Sequence, residues 1–272
     1  MSDTERALVQ TLRNQRTYGK YRGFVVDNAD PDRRGRVKVQ VPALLGDQAT
    51  DWALPCVPYG GLADQGWFCV PEVGAQVWVE FEGGDLTYPI WTGTFWQAAG
   101  DPPAEATAQP QSHVFKTAGG HYLSFEDSSG SEQVHLQHAG GATLDIDSEG
   151  TVALTDQNGA HLTLDAAAGE LVLEDANGNS LTMTASGVTV QDASGNKIEM
   201  AASGITVKAM KIVVDGQQVL LGGEGGEPVI KGQSFLTLFA THIHTCTAPG
   251  SPTSPPIPQG EMSSLSFKVK TA

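Results

Sequence analysis

Two histidines separated by one residue, His242 and His244, are the side chains of this sequence best suited to bind a metal ion. They lie in the segment Thr241–Cys246, which follows a series of β-type repeats and precedes a proline-rich stretch. In an extended strand alternate side chains share a face, so we expect the two imidazoles to point the same way. One chain then provides two ligands, and three chains around a common axis would provide six, enough to enclose one ion.

Six imidazole nitrogens favour an octahedral first-row ion such as Fe(II) or Ni(II), because zinc in proteins prefers four ligands. Such an ion would be structural, since six protein ligands leave no open position for substrate or water. Cys246 has the same strand parity as the histidines, but the strand can already end at Thr247–Pro249, so it is the weaker candidate. The alternative is an incidental surface pair. The other five histidines share no motif (113, 121, 135, 138 and 161).

The element that must position the histidine pair is a periodic region that begins at Gly119. Pairs of apolar residues separated by one residue recur at spacings of eight to eleven residues, most often nine, over eleven units. The first pair is Leu123 and Phe125, the last is Ile212 and Val214, and turn glycines fall between the units. This periodicity predicts short β-strands joined by tight turns.

A strand with only two inward apolar positions cannot bury a core alone, so these repeats must stack and also meet equivalent strands from other chains. Units of about nine residues provide one strand and one turn, less than one coil of a single-chain β-helix. The pattern therefore predicts an intertwined β-helix of three chains. Calcium-binding β-rolls would need the turn Gly-Gly-x-Gly-x-Asp, which Asp156–Gly159 lacks, and an up-and-down barrel would need longer strands.

A first β domain is predicted over residues 19–97, where five or six short strands with Gly/Pro turns between them indicate a small closed barrel. The strand Arg36–Val41 alternates polar and apolar residues, as a half-buried strand does. We expect the tryptophans of this domain to fill its core and its contacts; they are residues 52, 67, 78, 91 and 96. The predicted fold class of the whole chain is all-β, with the barrel followed by the needle, which is the intertwined β-helix of three chains.

The complete predicted order is an N-terminal helical segment, the barrel, a linker, the β-helix, and a tip with a final strand (1–18, 19–97, 98–118, 119–240 and 241–272). Within the first segment, a short helix over residues 3–16 places Leu8 and Leu12 on one face. Three cysteines cannot pair completely, and the polar, acidic start is unlike a signal peptide, so we expect synthesis in the cytoplasm.

Charge is unevenly distributed along this chain of 272 residues, whose formal net charge is −15. Residues 1–40 carry nine Lys and Arg against five Asp and Glu, whereas residues 119–232 carry sixteen Asp and Glu against four Lys. The acidic region repels nucleic acid and anionic membrane surfaces. The basic end, which includes Arg33, Arg34 and Arg36, indicates either an acidic protein partner or an ordinary solvated surface.

Several short motifs in the predicted barrel occur in a specific order and spacing. They are Gly19–Asp27, Asp30–Pro31 with Arg34–Val39, Trp52–Pro55, Pro71–Gly74 with Val77–Phe81, and Gly83–Asp85 with Pro89–Gly93. With these motifs the domain resembles the N-terminal oligonucleotide/oligosaccharide-binding (OB) barrel of the central spike proteins of contractile injection systems. That family includes phage baseplate assembly protein V, the tail spike hub of long contractile-tailed phages and the Vgr proteins of type VI secretion.

The resemblance implies a homotrimer on the tail axis, with its barrels held by baseplate hub and tail-tube proteins and its β-helix projecting as a needle. It implies one iron ion per trimer, bound at the tip by His242 and His244 of each chain. A separate tip protein of the PAAR type, or an effector, can attach there. The trimer would be made in the bacterial cytoplasm, assembled into a phage tail, tailocin or extracellular particle, and driven through the target envelope with only transient contact. Residues 263–272 depart from the pattern, because another strand follows the tip motif.

Two other function classes fit the sequence less well. A trimeric tailspike enzyme that degrades cell-surface polysaccharide needs paired carboxylates in a cleft, whereas the acidic residues here lie mostly in turns, such as Asp156, Asp175 and Asp192. Nucleic-acid binding by the barrel would need aromatic and basic groups in one groove, and the net charge of −15 opposes it. We therefore expect no enzyme and no nucleic-acid partner.

Overall fold

The computed structural model describes residues 4–6, 16–221, 227–246, 248–250, 252–255, 257 and 260–271. The strands within these ranges are β1 (Tyr21–Asp27), β2 (Lys38–Gln40), β3 (Leu54–Pro55), β4 (Gln76–Phe81), β5 (Pro89–Thr94), β6 (Ser112–Lys116), β7 (Tyr122–Glu126), β8 (Gln133–Gln137), β9 (Thr143–Ile146), β10 (Val152–Thr155), β11 (His161–Asp165), β12 (Glu170–Glu174), β13 (Ser180–Thr184), β14 (Gly187–Gln191), β15 (Lys197–Ala201), β16 (Gly204–Lys208), β17 (Val219–Leu221), β18 (Glu227–Ile230) and β19 (Leu265–Thr271). The helices are α1 (Pro42–Leu45) and α2 (Gly232–Thr241), and 3-10 helices span Glu82–Gly84 and Glu261–Ser264.

The described part of the chain is thus mostly β, as predicted. Contacts group the chain into two compact units, residues 1–141 with 145–148 and residues 142–144 with 149–272. The predicted helix over residues 3–16 lies outside the described residues, except that residues 4–6 are helical. Among the described helices, none is long and apolar enough to cross a membrane.

The first five strands form one sheet in the order β2-β1-β4-β5-β3. Val37, just before β2, pairs with Ala53, just before β3, and the two residues exchange backbone hydrogen bonds of 3.2 and 2.8 Å. Because this pairing joins the two outer strands, the sheet closes on itself as a small barrel.

The barrel has a core of its own. Its strands alternate buried and exposed positions, so that β4 turns Val77, Val79 and Phe81 inward, as a pleated strand with one buried face must. The other buried apolar residues are Val25, Val37, Val39, Val41, Ala53 and Trp91. The indole Nε1 of Trp91 donates a hydrogen bond to the carbonyl oxygen of Gly35 at 3.1 Å, so its one polar atom is satisfied inside the core.

Strands β6 to β16 follow one another in hydrogen-bonded order in an eleven-stranded sheet, which we call the meander. The strands pair antiparallel from β6 to β8 and from β10 to β16, and turns of two to six residues join the strands, with a glycine in each turn or directly after it. Gly187 shows why glycine is needed: a Cβ there would lie 2.0 Å from the carbonyl oxygen of Met200 on the neighbouring strand. Ten of the eleven predicted apolar pairs lie in strands of this sheet.

The structure differs from the sequence prediction at both ends of the meander. The first strand, β6, lies within the stretch predicted as a linker, where the prolines that precede it obscured the pattern. At the other end, Ile212 and Val214 belong to no described strand. Beyond them, β17 pairs in parallel and β18 antiparallel with β19, which forms a three-stranded sheet in the order β17-β19-β18. Helix α2 follows β18 and was not predicted.

Candidate trimer interface and metal site

One face of the meander carries two columns of apolar side chains. In β11 and β12, Leu162 lies opposite Leu173, and Leu164 lies opposite Leu171. Because successive side chains of a strand point to opposite faces, the two apolar residues of each strand share one face. The same register continues through the following strands, with Leu181 opposite Val190, Met183 opposite Val188, Val190 opposite Ile198, and Ile198 opposite Val207.

A single chain leaves these columns partly exposed. Leu164 is 44% and Leu173 is 49% exposed, and the residues of the neighbouring strands are similar. A shallow groove of about 560 Å³ follows one of the columns, lined by Leu154, Leu162 and Leu181 among others. Contiguous apolar surfaces of this extent mark interaction sites on soluble proteins. The face therefore needs a covering that one chain does not provide.

The opposite face of the same strands is mostly polar, although Val172 lies on it between Thr163 and Thr182. Thr163, Thr182 and Thr189 occupy its central positions, and Thr182 and Thr189 lie directly opposite each other in β13 and β14. This contrast between the two faces fixes the register, because a shift by one residue would bring the threonines to the apolar side. It also identifies which side of the meander is to be covered.

The turn carboxylates of the meander stabilise the hairpins. Asp175 Oδ1 accepts the backbone N–H groups of Asn177 and Asn179 at 2.8 and 2.9 Å, and its Oδ2 accepts the Asn179 side-chain amide at 2.7 Å. These bonds, chiefly that from the Asn179 amide, lower the pKa of Asp175 to about 2. Asp192 makes the corresponding bonds with Asn196, and its pKa is lowered too. Each carboxylate is thus committed to its own turn.

The histidine pair lies directly after helix α2. His242 is the C-cap of that helix, and residues 242–246 belong to no described strand. The expectation that strand alternation aligns the two rings is therefore wrong, because the helix continues to Thr241. The rings nevertheless lie together, with centroids 5.2 Å apart and planes at 73°.

Both imidazoles have the hydrogen-bond pattern of metal ligands. His242 Nδ1 contacts the carbonyl oxygen of Phe239, and His244 Nδ1 lies 2.7 Å from the carbonyl oxygen of Ser254. A carbonyl can only accept, so each Nδ1 carries the proton and each Nε2 keeps a lone pair. Donation from the second nitrogen to a carbonyl is typical of metal-binding histidines. The residues therefore fit a metal ion bound through Nε2.

One chain does not complete such a site. Among the described residues there is no group of three or more His, Cys, Asp or Glu side chains that could hold a metal ion. Cys246 is exposed, and its Sγ lies 3.4 Å from the carbonyl oxygen of Ala248. The two Nε2 atoms of one chain need ligands from elsewhere.

A second histidine pair, which the sequence analysis missed, has the opposite tautomer. The rings of His121 and His138 lie 4.5 Å apart in two neighbouring turns. Their Nδ1 atoms accept the backbone N–H groups of Ala139 and Gly140 at 3.2 and 3.0 Å. Each Nε2 then carries the proton and is not free to bind a metal. No common motif could have revealed this pair, because its members are seventeen positions apart in the sequence.

The comparison with known proteins agrees with the division into a barrel and a meander. The family described as the type VI secretion system/phage-baseplate injector OB domain matches residues 21–96. The family described as the phage baseplate V C-terminal trimerisation domain matches residues 151–223. These two matches confirm the resemblance to the central spike proteins of contractile injection systems. The trimerisation match covers β10 to β16, whose apolar columns are exposed in one chain.

Relatives of this chain include three curated proteins. The actin cross-linking toxin VgrG1 of Vibrio cholerae is 32% identical over 114 residues, which are 39% of this chain and 10% of that protein. The type VI secretion system spike protein VgrG3 of Vibrio cholerae is 30% identical over 145 residues, 49% of this chain and 14% of that protein. The type VI secretion system spike protein VgrG4b of Pseudomonas aeruginosa is 31% identical over 115 residues, which are 39% of this chain and 14% of that protein. The chain thus spans less than two thirds of each relative.

One solved structure, that of the microcephaly protein CPAP G-box domain, aligns with 70% of this chain and 99% of its own chain. Its identity is 11% and its TM-score is 0.28. A similarity at this level supports no inference about fold or function.

In the basic turn of the barrel, one arginine already pairs with acidic residues of the same turn. Asp30 accepts the Arg34 backbone N–H at 2.7 Å and the Arg36 guanidinium at 2.6 and 3.1 Å, and Arg36 also contacts Asp32 at 2.6 Å. The Arg36 bond holds the pKa of Asp30 well below its usual range. With its side chain only 14% exposed, Arg36 stabilises the turn, so only Arg33 and Arg34 remain for an external partner.

The tryptophans of the barrel divide into two groups. Trp91 is in the core, as the expectation of core and contact positions allows, whereas Trp67 and Trp96 are exposed. Trp67 lies against Phe115 of β6, with ring centroids 6.4 Å apart, and its indole N–H donates to Cys69 Sγ at 3.0 Å. Composition alone could not separate the two groups, because strand and loop tryptophans look alike in the sequence.

Proposed function

We propose that this chain forms a homotrimeric spike at the centre of the baseplate of a contractile tail or injection system, which pierces the target envelope after sheath contraction. The observation that carries this proposal is the pair of apolar columns on one face of the meander, within the match to a trimerisation domain. Three such faces turned toward a common axis would bury the columns in one shared core. A trimer stiffened in this way is suited to transmit force along its axis.

A structural role is favoured over the alternative, a trimeric tailspike enzyme that degrades polysaccharide. Catalysis of glycoside hydrolysis needs two carboxyl groups that face each other across a cleft. Asp175 and Asp192 instead accept hydrogen bonds from their own turns.

Within this proposal, His242 and His244 of each chain hold one iron ion at the tip. Six Nε2 atoms would form an octahedral set, which suits Fe(II) better than zinc. When bound, the ion would cross-link the three chains at their ends. The contribution of this chain is to fix the tautomer through the carbonyl oxygens of Phe239 and Ser254.

The partners belong to the proposal as well. The barrel would bind the baseplate hub and the tail tube, with Arg33 and Arg34 as the free cations of the turn. A tip protein of the PAAR type or an effector would attach at the far end. Assembly would follow synthesis in the bacterial cytoplasm. The acidic meander, with its excess of Asp and Glu, disfavours lasting contact with anionic envelope surfaces and with nucleic acid.

The proposal is tested on purified particles. Quantitative mass spectrometry should find three copies of this chain per particle, and immunogold labelling should place it at the baseplate end. Absence from particles, or labelling along the sheath, would contradict it. Release of sugars from surface polysaccharide by the purified chain would favour the tailspike alternative instead.

The role of the basic turn is tested by Arg33→Glu with Arg34→Glu. We expect this variant to form trimers but to enter particles less efficiently, because the partner surface would be acidic. Normal incorporation would make the turn a solvated surface. Arg36→Glu is the contrasting variant: it should weaken the barrel itself, since it places a third carboxylate beside Asp30 and Asp32.

A further inference from the structure

Helix α2 has an apolar face that its own chain leaves exposed. Leu236 and Phe239 are 60% and 59% exposed, and Phe235 is also exposed. At roughly 100° per residue these three positions fall within one sector of about 100°, the width of a buried helix stripe. The half-buried residues Ser234 and Leu238 lie on the other side of the helix. Helix α2 also contacts the neighbouring 3-10 helix, Glu261–Ser264.

The composition of α2 indicates that its exposed face is covered. None of its ten residues is charged, although the chain as a whole has a net charge of −15. The Thr237 and Thr241 hydroxyls donate to the carbonyl oxygens of Gln233 and Thr237 at 2.9 and 3.0 Å, so they are satisfied within the helix. A helix of this length is marginal alone and depends on packing of its apolar face.

Along the chain, α2 lies between the match to the trimerisation domain and the histidine pair. The helix begins at Gly232, shortly after the match to the trimerisation domain ends at residue 223. A row of rings leads from the helix to the metal-binding candidates. Phe235 and Phe239 stack with centroids 5.9 Å apart, and Phe239 and His242 are 4.9 Å apart. Whatever packs against Phe239 therefore also sets the position of His242.

We propose that α2 is a collar: three copies of the helix pack Phe235, Leu236 and Phe239 against one another around the trimer axis, next to the histidines. A second and third copy of this chain are the occupants that the observations favour, because α2 follows the match to a trimerisation domain along the chain. Three uncharged helices can also approach one another without the repulsion that an acidic surface would cause. This proposal rests on the proposed trimer and adds a second contact to it, beyond the meander.

Proximity of the helices is tested by cross-linking. In the full chain with Cys56, Cys69 and Cys246 replaced by Ser, Leu236→Cys is treated with a short bis-maleimide. Gln233→Cys is the matched control, since Gln233 is exposed on the polar side of the same helix. We expect covalent dimers several-fold more abundant for Leu236→Cys. Equal yields, or none for either variant in a protein of trimeric mass, would overturn the collar. A monomeric mass would overturn the proposed trimer instead.

A second variant, Leu236→Gln with Phe239→Gln, tests whether the collar positions the histidines. The trimeric mass should persist because the meander core is intact, whereas bound iron should fall several-fold. Unchanged iron content would contradict the collar.

Sedimentation with vesicles of phosphatidylcholine and phosphatidylglycerol in equal amounts tests whether lipid, rather than other copies of α2, covers this face. If the wild-type trimer sediments with the vesicles and the variant does not, the face binds lipid and the collar is wrong.

Discussion

The barrel and the meander are both built from short, mostly antiparallel strands, yet they bury their apolar side chains differently. In the barrel the outer strands join through Val37 and Ala53, so inward residues such as Val79 are buried within one chain. In the meander the sheet stays open and Leu164 remains partly exposed. The barrel, whose sheet closes, can therefore be stable alone, whereas the meander, whose sheet stays open, needs other copies of the chain.

The largest effect is expected from a charge in the shared core of the meander. Leu164→Asp would place three carboxylates together in the trimer, where unpaired buried charges are very unfavourable. The variant should fail to form trimers in sedimentation velocity. Thr163→Asp is the control, because residue 163 lies on the opposite face of the same strand. If both variants form trimers, the columns are not the interface.

A mutation in the barrel core should weaken the barrel without dissociating the trimer. Phe81 is buried and lies 6.2 Å from the ring of Tyr21. Phe81→Ala is expected to cost about 3 to 5 kcal/mol of barrel stability, from lost burial and the cavity left behind. Thermal unfolding should show a lower first transition, with an unchanged mass at low temperature. Tyr88→Ala, at an exposed barrel position, should change stability by about 0.5 kcal/mol or less. Dissociation by Phe81→Ala would show that the two regions are not independent.

The two histidine pairs are expected to differ in metal binding, with the ion bound by His242 and His244. His242→Ala with His244→Ala should abolish bound iron, measured by elemental analysis of purified trimers. The control is His121→Ala with His138→Ala, whose Nδ1 atoms accept backbone N–H groups and whose Nε2 atoms are therefore protonated. This second variant should keep one ion per trimer. Equal metal content in both variants would reject the assignment of His242 and His244.

The smallest effect concerns the turns of the meander. The pKa of Asp175 is lowered from 3.8 to about 2, so the ionised carboxylate stabilises the folded state above the unfolded pKa. This contribution should be lost as the pH falls from about 4 to about 2. Asp175→Asn should lower the melting temperature slightly at neutral pH and reduce its dependence on pH in that window. An identical acid dependence in both proteins would assign the effect to other carboxyl groups.

Periodicity in the sequence was enough to predict β7 to β16, because two apolar residues per strand and a glycine per turn are local signals. It could not predict α2, whose short uncharged sequence looks like another apolar strand. The proximity of His242 and His244 was expected for the wrong reason. Their tautomer depends on Phe239 and on Ser254, ten positions beyond His244, and long-range contacts of this kind leave no pattern in one sequence.

The electrostatic prediction was also only partly right. The sequence analysis counted Arg36 among the cations available to a partner, but in the fold its guanidinium forms ion pairs with Asp30 and Asp32. The turn motif placed these residues close together in the chain. Which charges pair and which stay free depends on turn geometry, here on the positive φ of 53° at Arg33.

Sedimentation velocity of the intact wild-type chain over a range of concentrations tests the central claim most directly, namely that the apolar face of the meander is buried between three copies. The account predicts a single species with three times the mass of the chain and no folded monomer at low concentration. A well-folded monomer, with the native circular dichroism of the meander, would contradict it.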